Sequence, residues 1–220
     1  MKRNIKNTLI ISCDGGASSG KTTGAKMIAK KYKLKFLSSG LLYRYAGYLI
    51  LKYNPKNKTS FLKKRFKKVN LKTLDKLNLN TQIISEYTSK IAKIKKIRNI
   101  LKSYQIAFSK KNKRCIIEGR DISTEILPDS DIKFFFTCDL KNASFRRYKD
   151  LKKVNPKIKL KEVKKSIKLR NLRDKKRKHS PLLKHRDALE IHTGKLNKKR
   201  MIKKMSVYIE KILKNKKYVN

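Results

Sequence analysis

Apolar residues in this chain come in two kinds of block. Some are short and unbroken: residues 8–13, 34–37, 114–118 (RCIIE), Ile132–Thr137 (IKFFFT) and Leu189–His192. Blocks of this length, rich in Ile and Phe, predict strands, and the runs at 114–118 and 132–137 predict central strands of a parallel sheet, buried on both faces. Between them the spacing is helical. The stretch from Gly20 (GKTTGAKMIAKKY) sets Ala25, Ile28 and Ala29 on one side, and SSGLLYRYAGYLILKY reads as a loop opening a helix. Further helices are predicted over 82–108 (broken once near Lys93), 144–151, 160–178 and 198–213, with a lysine-rich loop around Asn155 and Pro156. Residues 53–79 are polar and basic, contain Pro55, and read as a small insertion. Strands alternating with helices predict a doubly wound α/β fold, and no internal repeat interrupts the pattern.

Composition narrows this picture. With 220 residues there is room for one α/β domain with a buried core. The 62 Lys and Arg outnumber 15 Asp and Glu, for a net charge of +47, yet apolar residues at 39% recur along the whole length, which excludes a disordered polycation. Such a field attracts polyanions but identifies no site. The lysines are scattered among Asn and Ile, as on solvated helix faces. Cys13, Cys115 and Cys138 lie in or beside apolar stretches without CxxC pairing, so buried, reduced thiols in a cytoplasmic protein are expected. No run approaches a membrane span and no secretory h-region is visible, so no membrane partner is expected.

The chemistry begins at SCDGGASSGKTTG. Gly15-x4-Gly20-Lys21-Thr22, with a strand before and a helix after, fits a phosphate-binding loop. Glycines let successive N–H groups of Gly15, Gly16, Ala17, Ser18, Ser19 and Gly20 curl into an anion nest at the positive end of a helix. Lys21 can reach the β- and γ-phosphates, and a hydroxyl of Thr22 or Thr23 can hold Mg²⁺. SSGLLYR places Ser39 and Gly40 at a turn and Tyr43 and Arg44 on the first turn of a helix. IIEGRD ends a strand on Glu118 and presents Arg120 and Asp121 at the carboxyl edge of the sheet, where ligands of open α/β sheets bind. In RNLRDKKRKHSPL, Arg170, Arg173, Asp174 and Arg177 share one helical face, and arginine in so lysine-rich a chain points to bidentate phosphate recognition. His179, His185 and His192 lack metal-ligand spacing.

Taken in order, DGGASSGKTT, SSGLLYR, the helix carrying Ser89 and Arg98, EGRD, SFRR (144–147) and RNLRDKKRKHSPL resemble the bacterial cytidylate (CMP/dCMP) kinases, of the nucleoside monophosphate kinase family. The resemblance spans residues 8 to about 215. It implies a three-layer P-loop fold in a single domain over 1–220, with an acceptor-binding insert at about 49–108 and a helical lid at about 146–180. It implies transfer of the ATP γ-phosphoryl group to CMP or dCMP with Mg²⁺, in a monomer with no specific nucleic-acid partner. Lys21 and the loop bind the donor phosphates, flanked by Arg146 and Arg147. Arg44 and Arg120 hold the acceptor phosphate, with Ser39 and Tyr43 beside it. Ser89, Arg98, Asp121 and Arg177 read the base, and Arg170 and Asp174 contact the phosphate–sugar side. Lys21, Arg120, Arg170 and Asp121 are the residues expected to carry the reaction.

Departures from the family pattern are Ser38 and Glu118, where aspartate is usual, Ala143 in place of an arginine, and the short, basic 53–79 segment. Two other readings stand beside this one: a P-loop kinase for a different small acceptor, such as UMP or shikimate, and a nucleic-acid-binding protein supported by charge alone.

Overall fold

The computed structural model describes residues 8–74 and 76–217. Five strands form one parallel sheet in the order β2–β3–β1–β4–β5. These are β1 (Leu9–Gly15), β2 (Lys35–Ser38), β3 (Arg114–Gly119), β4 (Ile132–Thr137) and β5 (Leu189–His192), as the apolar blocks anticipated to within a residue or two. With helices on both faces, the parallel α/β fold expected from the alternation is observed. From β1 the chain goes to β2 at one edge, returns to β3 between them, and then crosses to β4 and β5 on the other side of β1, and this change of direction opens a crevice at the carboxyl ends of β1 and β3.

Strand periodicity sorts the core onto two faces. Leu9, Ile11, Cys13, Ile116, Phe134 and Phe136 point to one, where α1 (Lys21–Lys31) and α9 (Lys198–Lys217) cover them with Ile28, Met201, Met205 and Ile209. Cys115 and Ile117, one residue either side of Ile116, point to the other. There α2 (Ser39–Tyr53), α3 (Lys58–Lys67), α5 (Gln82–Ile91) and α6 (Lys95–Lys111) pack around Leu42, Leu62, Ile97 and Leu101. A third, smaller cluster of Ala17, Leu151, Ile158, Val163 and Ile167 joins α7 (Leu140–Lys152) and α8 (Leu160–Lys176) to the loop after β1.

Three differences from the sequence pattern have physical causes. The segment 53–79 is not merely polar: α3 and α4 (Leu71–Leu74) bury Leu62, Phe66, Leu74 and Leu79. Leu62 and Phe66 are one helical turn apart within a run of lysines, and the Phe66 ring meets Tyr45 of α2 and Tyr104 of α6 at 5.9 and 6.1 Å. Helix α7 starts four residues earlier than expected because the Asp139 carboxylate caps it, accepting the Asn142 N–H at 2.8 Å. Cys138 is only half-buried, unlike Cys13 and Cys115. Among the described residues no helix is long and apolar enough to cross a membrane.

Candidate active site

At the end of β1 the chain turns because nothing larger than glycine fits. A Cβ at Gly15 would meet the Phe136 carbonyl oxygen at 2.4 Å. Gly20, at φ 81°, caps α1 without a side-chain acceptor, so the first N–H groups of that helix stay open toward an anion. Lys21 opens α1 and folds back over the loop, where its Nζ donates to the Gly16 carbonyl at 3.1 Å. Thr22 and Thr23 lie exposed on the same turn. The loop is braced from outside: the Asn171 carboxamide on α8 accepts the Ala17 N–H at 2.9 Å, and Thr193 donates its hydroxyl to the Ser19 carbonyl at 2.8 Å. Arg146 donates to Thr193 Oγ1 and O at 2.9 and 2.7 Å, beside Gly20.

Asp14, one residue before the glycines, is fully buried. Its carboxylate accepts the Ile122 N–H at 2.8 Å and the Ser123 N–H and hydroxyl at 2.7 and 2.6 Å, fixing the π-helical turn Ile122–Ile126 that follows Arg120 and Asp121. Burial pushes its carboxyl up to about 6 in spite of these donors.

Facing the loop is a second cluster, assembled from distant segments. The Ser38 hydroxyl caps α2, whose first turns bring in Ser39, Tyr43 and Arg44. Arg44 donates to Asn80 Oδ1 at 2.8 Å, and its Nε is enclosed without a partner. Deeper in, charges alternate: Arg98 pairs with Asp121, Asp121 lies 3.5 Å from Arg177, Arg177 lies 3.8 Å from Asp174, and Asp174 accepts from Arg120 Nε at 2.8 Å. The Arg98 guanidinium also stands 5.6 Å over the Tyr43 ring. Arg173 reaches the Ser89 hydroxyl at 3.4 Å. Helix α8 ends at Lys176, so Arg177 joins this cluster from extended backbone and not from the shared helical face.

One cleft of about 540 Å³ is lined by Ala17 to Thr23 and by Ser39, Tyr43, Arg44, Ser89, Arg98, Arg120, Asp121, Arg146, Arg147, Arg170, Asp174 and Arg177. Gly15 and Gly16, also expected at the donor phosphates, do not line it. Arg147, expected beside the donor, instead donates to Asn80 O and Ser85 Oγ at 2.9 and 3.0 Å, on the side of α5. Asn80, Asn171 and Thr193 had no signal in the sequence, because each acts through a contact between segments remote in the chain.

The half of the cleft beside Lys21, Arg44 and Arg170 is short of negative charge. Burial, then the nearby Arg120, pulls the Lys21 ammonium down to about 7, with Glu118 only partly opposing. Burial and the neighbouring Arg120 bring Arg170 down to about 9, and burial brings Arg44 to about 10. Asp174 behaves oppositely: burial pushes its carboxyl up, yet Arg120, Arg170 and Arg177 hold it below the usual range. Among the described residues no cluster of three or more His, Cys, Asp or Glu is placed to hold a metal ion by itself.

The chain matches the cytidylate kinase family model over residues 11–211. A cytidylate kinase of Rickettsia canadensis (strain McKiel) is 37% identical over 210 residues, 94% of each chain. One of Rickettsia conorii is 36% identical over 206 residues, again 94% of each. Among solved structures, a Thermus thermophilus protein superposes with a TM-score of 0.50 at 14% identity, over 92% of this chain and 96% of its own, a likeness of fold alone.

Proposed function

This chain belongs to the cytidylate kinase family, and on that premise we propose that it transfers the γ-phosphoryl group of ATP to CMP or dCMP, giving ADP and CDP or dCDP. It is a phosphotransferase of the nucleoside monophosphate kinase type. One observation carries the reading: an anion-seeking loop with its lysine, and a set of arginines from other segments, open into the same cleft. The cleft volume of 540 Å³ falls within the range of small-molecule sites.

In this reading ATP lays its phosphates on residues 15–23, with Arg146 at the donor edge. Mg²⁺ arrives with the nucleotide as part of the substrate, and a hydroxyl of Thr22 or Thr23 gives it one hard oxygen ligand. The acceptor phosphate takes the place of Asp174 on Arg120, next to Arg44 and Arg170. Asp174 then faces the sugar hydroxyls, with Arg177 as its remaining counter-charge. The base lies toward Ser89, Arg98 and Asp121. Residues 49–108 serve as the acceptor-binding insert and 146–180 as the lid, which closes over both substrates and keeps water from the phosphoryl group.

Charge in the loose transition state of phosphoryl transfer spreads over the moving oxygens, so the protein's task is alignment and neutralisation. Lys21, Arg120 and Arg170 carry that task, and Asp121 orients the acceptor. Action as a cytoplasmic monomer is part of the proposal, since one chain supplies every residue invoked. ADP release measured across CMP, dCMP, UMP, AMP, GMP, dTMP and shikimate tests it. Turnover with CMP and dCMP is expected, and turnover with another acceptor alone would replace the specificity while keeping the kinase.

A further inference from the structure

Ser38 is the last residue of β2, and its hydroxyl makes two bonds. It accepts the Leu41 N–H at 3.2 Å, capping α2, and it donates to Glu118 Oε1 on the neighbouring strand, where the two residues pair in register. Glu118 is 2% exposed. Its second oxygen, Oε2, is enclosed without a hydrogen-bond partner and lies 3.8 Å from Lys21 Nζ. A methyl group built on Gly40 would touch Ser38 Oγ at 3.7 Å, Arg44 Nη2 at 3.9 Å and Glu118 Oε1 at 4.0 Å, so these groups converge on one point. One carboxylate thus stands between the lysine of the loop and the arginine on the first turns of α2. The hydroxyl that orients this carboxylate also fixes the start of that helix.

We propose that Ser38 and Glu118 form a positioning pair for phosphoryl transfer, setting the distance between the donor-side lysine and the acceptor-side arginine through one hydrogen bond. The proposal rests on the kinase reading of the cleft. A carboxylate anchored at one oxygen cannot rotate away, so its free oxygen keeps Lys21 drawn toward the β3 edge, between the two phosphate seats. Because the same hydroxyl caps α2, displacement of that helix reaches Glu118 and, through it, Lys21. Transfer rates are sensitive to such shifts, since a misplacement of about 1 Å can cost about a hundredfold.

The test uses the full chain with S38A, S38D and S38D/E118Q, measuring kcat and KM for ATP and CMP together with thermal melting. For S38A, kcat is expected to fall about tenfold to a hundredfold at temperatures where the protein is folded. Aspartate is as good a helix cap as serine, yet S38D sets a second carboxylate against Glu118 and is expected to lose at least as much. S38D/E118Q restores the bond with donor and acceptor exchanged, and is expected to recover most of the lost kcat. A hydroxyl that only caps α2 gives another pattern: S38A melts earlier with kcat intact, and S38D behaves like the wild type. That pattern, or a double variant no faster than S38D, overturns the proposal. Absence of transfer by the wild-type protein to any acceptor overturns the kinase reading and this pair with it, whereas normal turnover by S38A overturns the pair alone.

Discussion

From Gly15 to Thr23 the donor end of the cleft is consecutive chain, and its main offering is backbone N–H groups and one lysine. The acceptor end gathers side chains from α2, α5, α6, the turn after β3, and α8, and ties them by ion pairs. Their charge balance differs too. At the donor end Lys21 has one carboxylate within 4 Å, at 3.8 Å, and is pulled down to about 7. At the base-facing end Asp121 and Asp174 alternate with Arg98, Arg177 and Arg120, so charge is nearly compensated before any ligand arrives. Phosphate is therefore drawn in by unmet positive charge. In the proposed reading the rest of the acceptor meets a preformed lattice that would reject what cannot match its hydrogen bonds.

Removing the unmet charge breaks the comparison most severely. Lys21→Ala is expected to lower kcat/KM by about a hundredfold to a thousandfold, since one charge-stabilising donor is worth roughly 3–4 kcal/mol. Its melting temperature should hold or rise, because a buried cation disappears. Steady-state rates and a thermal melt check both, and wild-type-like turnover would refute the site. Arg120→Ala should abolish transfer nearly as completely while leaving the fold intact, because Asp174 keeps Arg177 at 3.8 Å.

Asp121→Ala attacks the compensated end and should act on stability. It strands Arg98 and Arg177, and a broken buried pair costs about 3–5 kcal/mol, measurable by urea unfolding. A smaller signal comes from protons. Lys21 holds its proton in the unfolded chain up to its ordinary range near 10.5 but loses it near 7 in the folded protein, so ligand-free stability falls as pH drops through that window. Donor phosphates return the charge, so ATP binding near pH 8 should take up a proton. Calorimetry in buffers of different ionisation enthalpy reads this, and Lys21→Ala should abolish it. Arg173→Ala, which loses a 3.4 Å contact to Ser89 at the cleft edge, should cost the least, about 1 kcal/mol or below in acceptor binding.

The same contrast explains what was legible in the sequence. A site made of consecutive residues writes itself out, so Gly15 through Thr23 could be read with their chemistry. Arg44, Arg120, Arg170 and Asp174 were also legible, because each sits in a short segment whose residue types are unusual for this lysine-rich chain. Asn80, Asn171 and Thr193 were not: an asparagine in a polar stretch looks the same whether or not a remote helix approaches it. Arg147 shows the limit from the other side, since its neighbour Arg146 turns to Thr193 while it turns to Asn80 and Ser85. Leu62 and Phe66 were masked by the lysines around them, although their spacing was that of a helix face.

Asp14 carries a consequence for how the protein is made. Its carboxylate is sealed in the interior and depends on partners 108 and 109 positions further along the chain. A ribosome that has released only the glycine turn has released an acid group with no donors to receive it. The Asp14 end of the cradle can harden only after residue 123 has emerged and returned to its side, and its outer braces at Asn171 and Thr193 come later still.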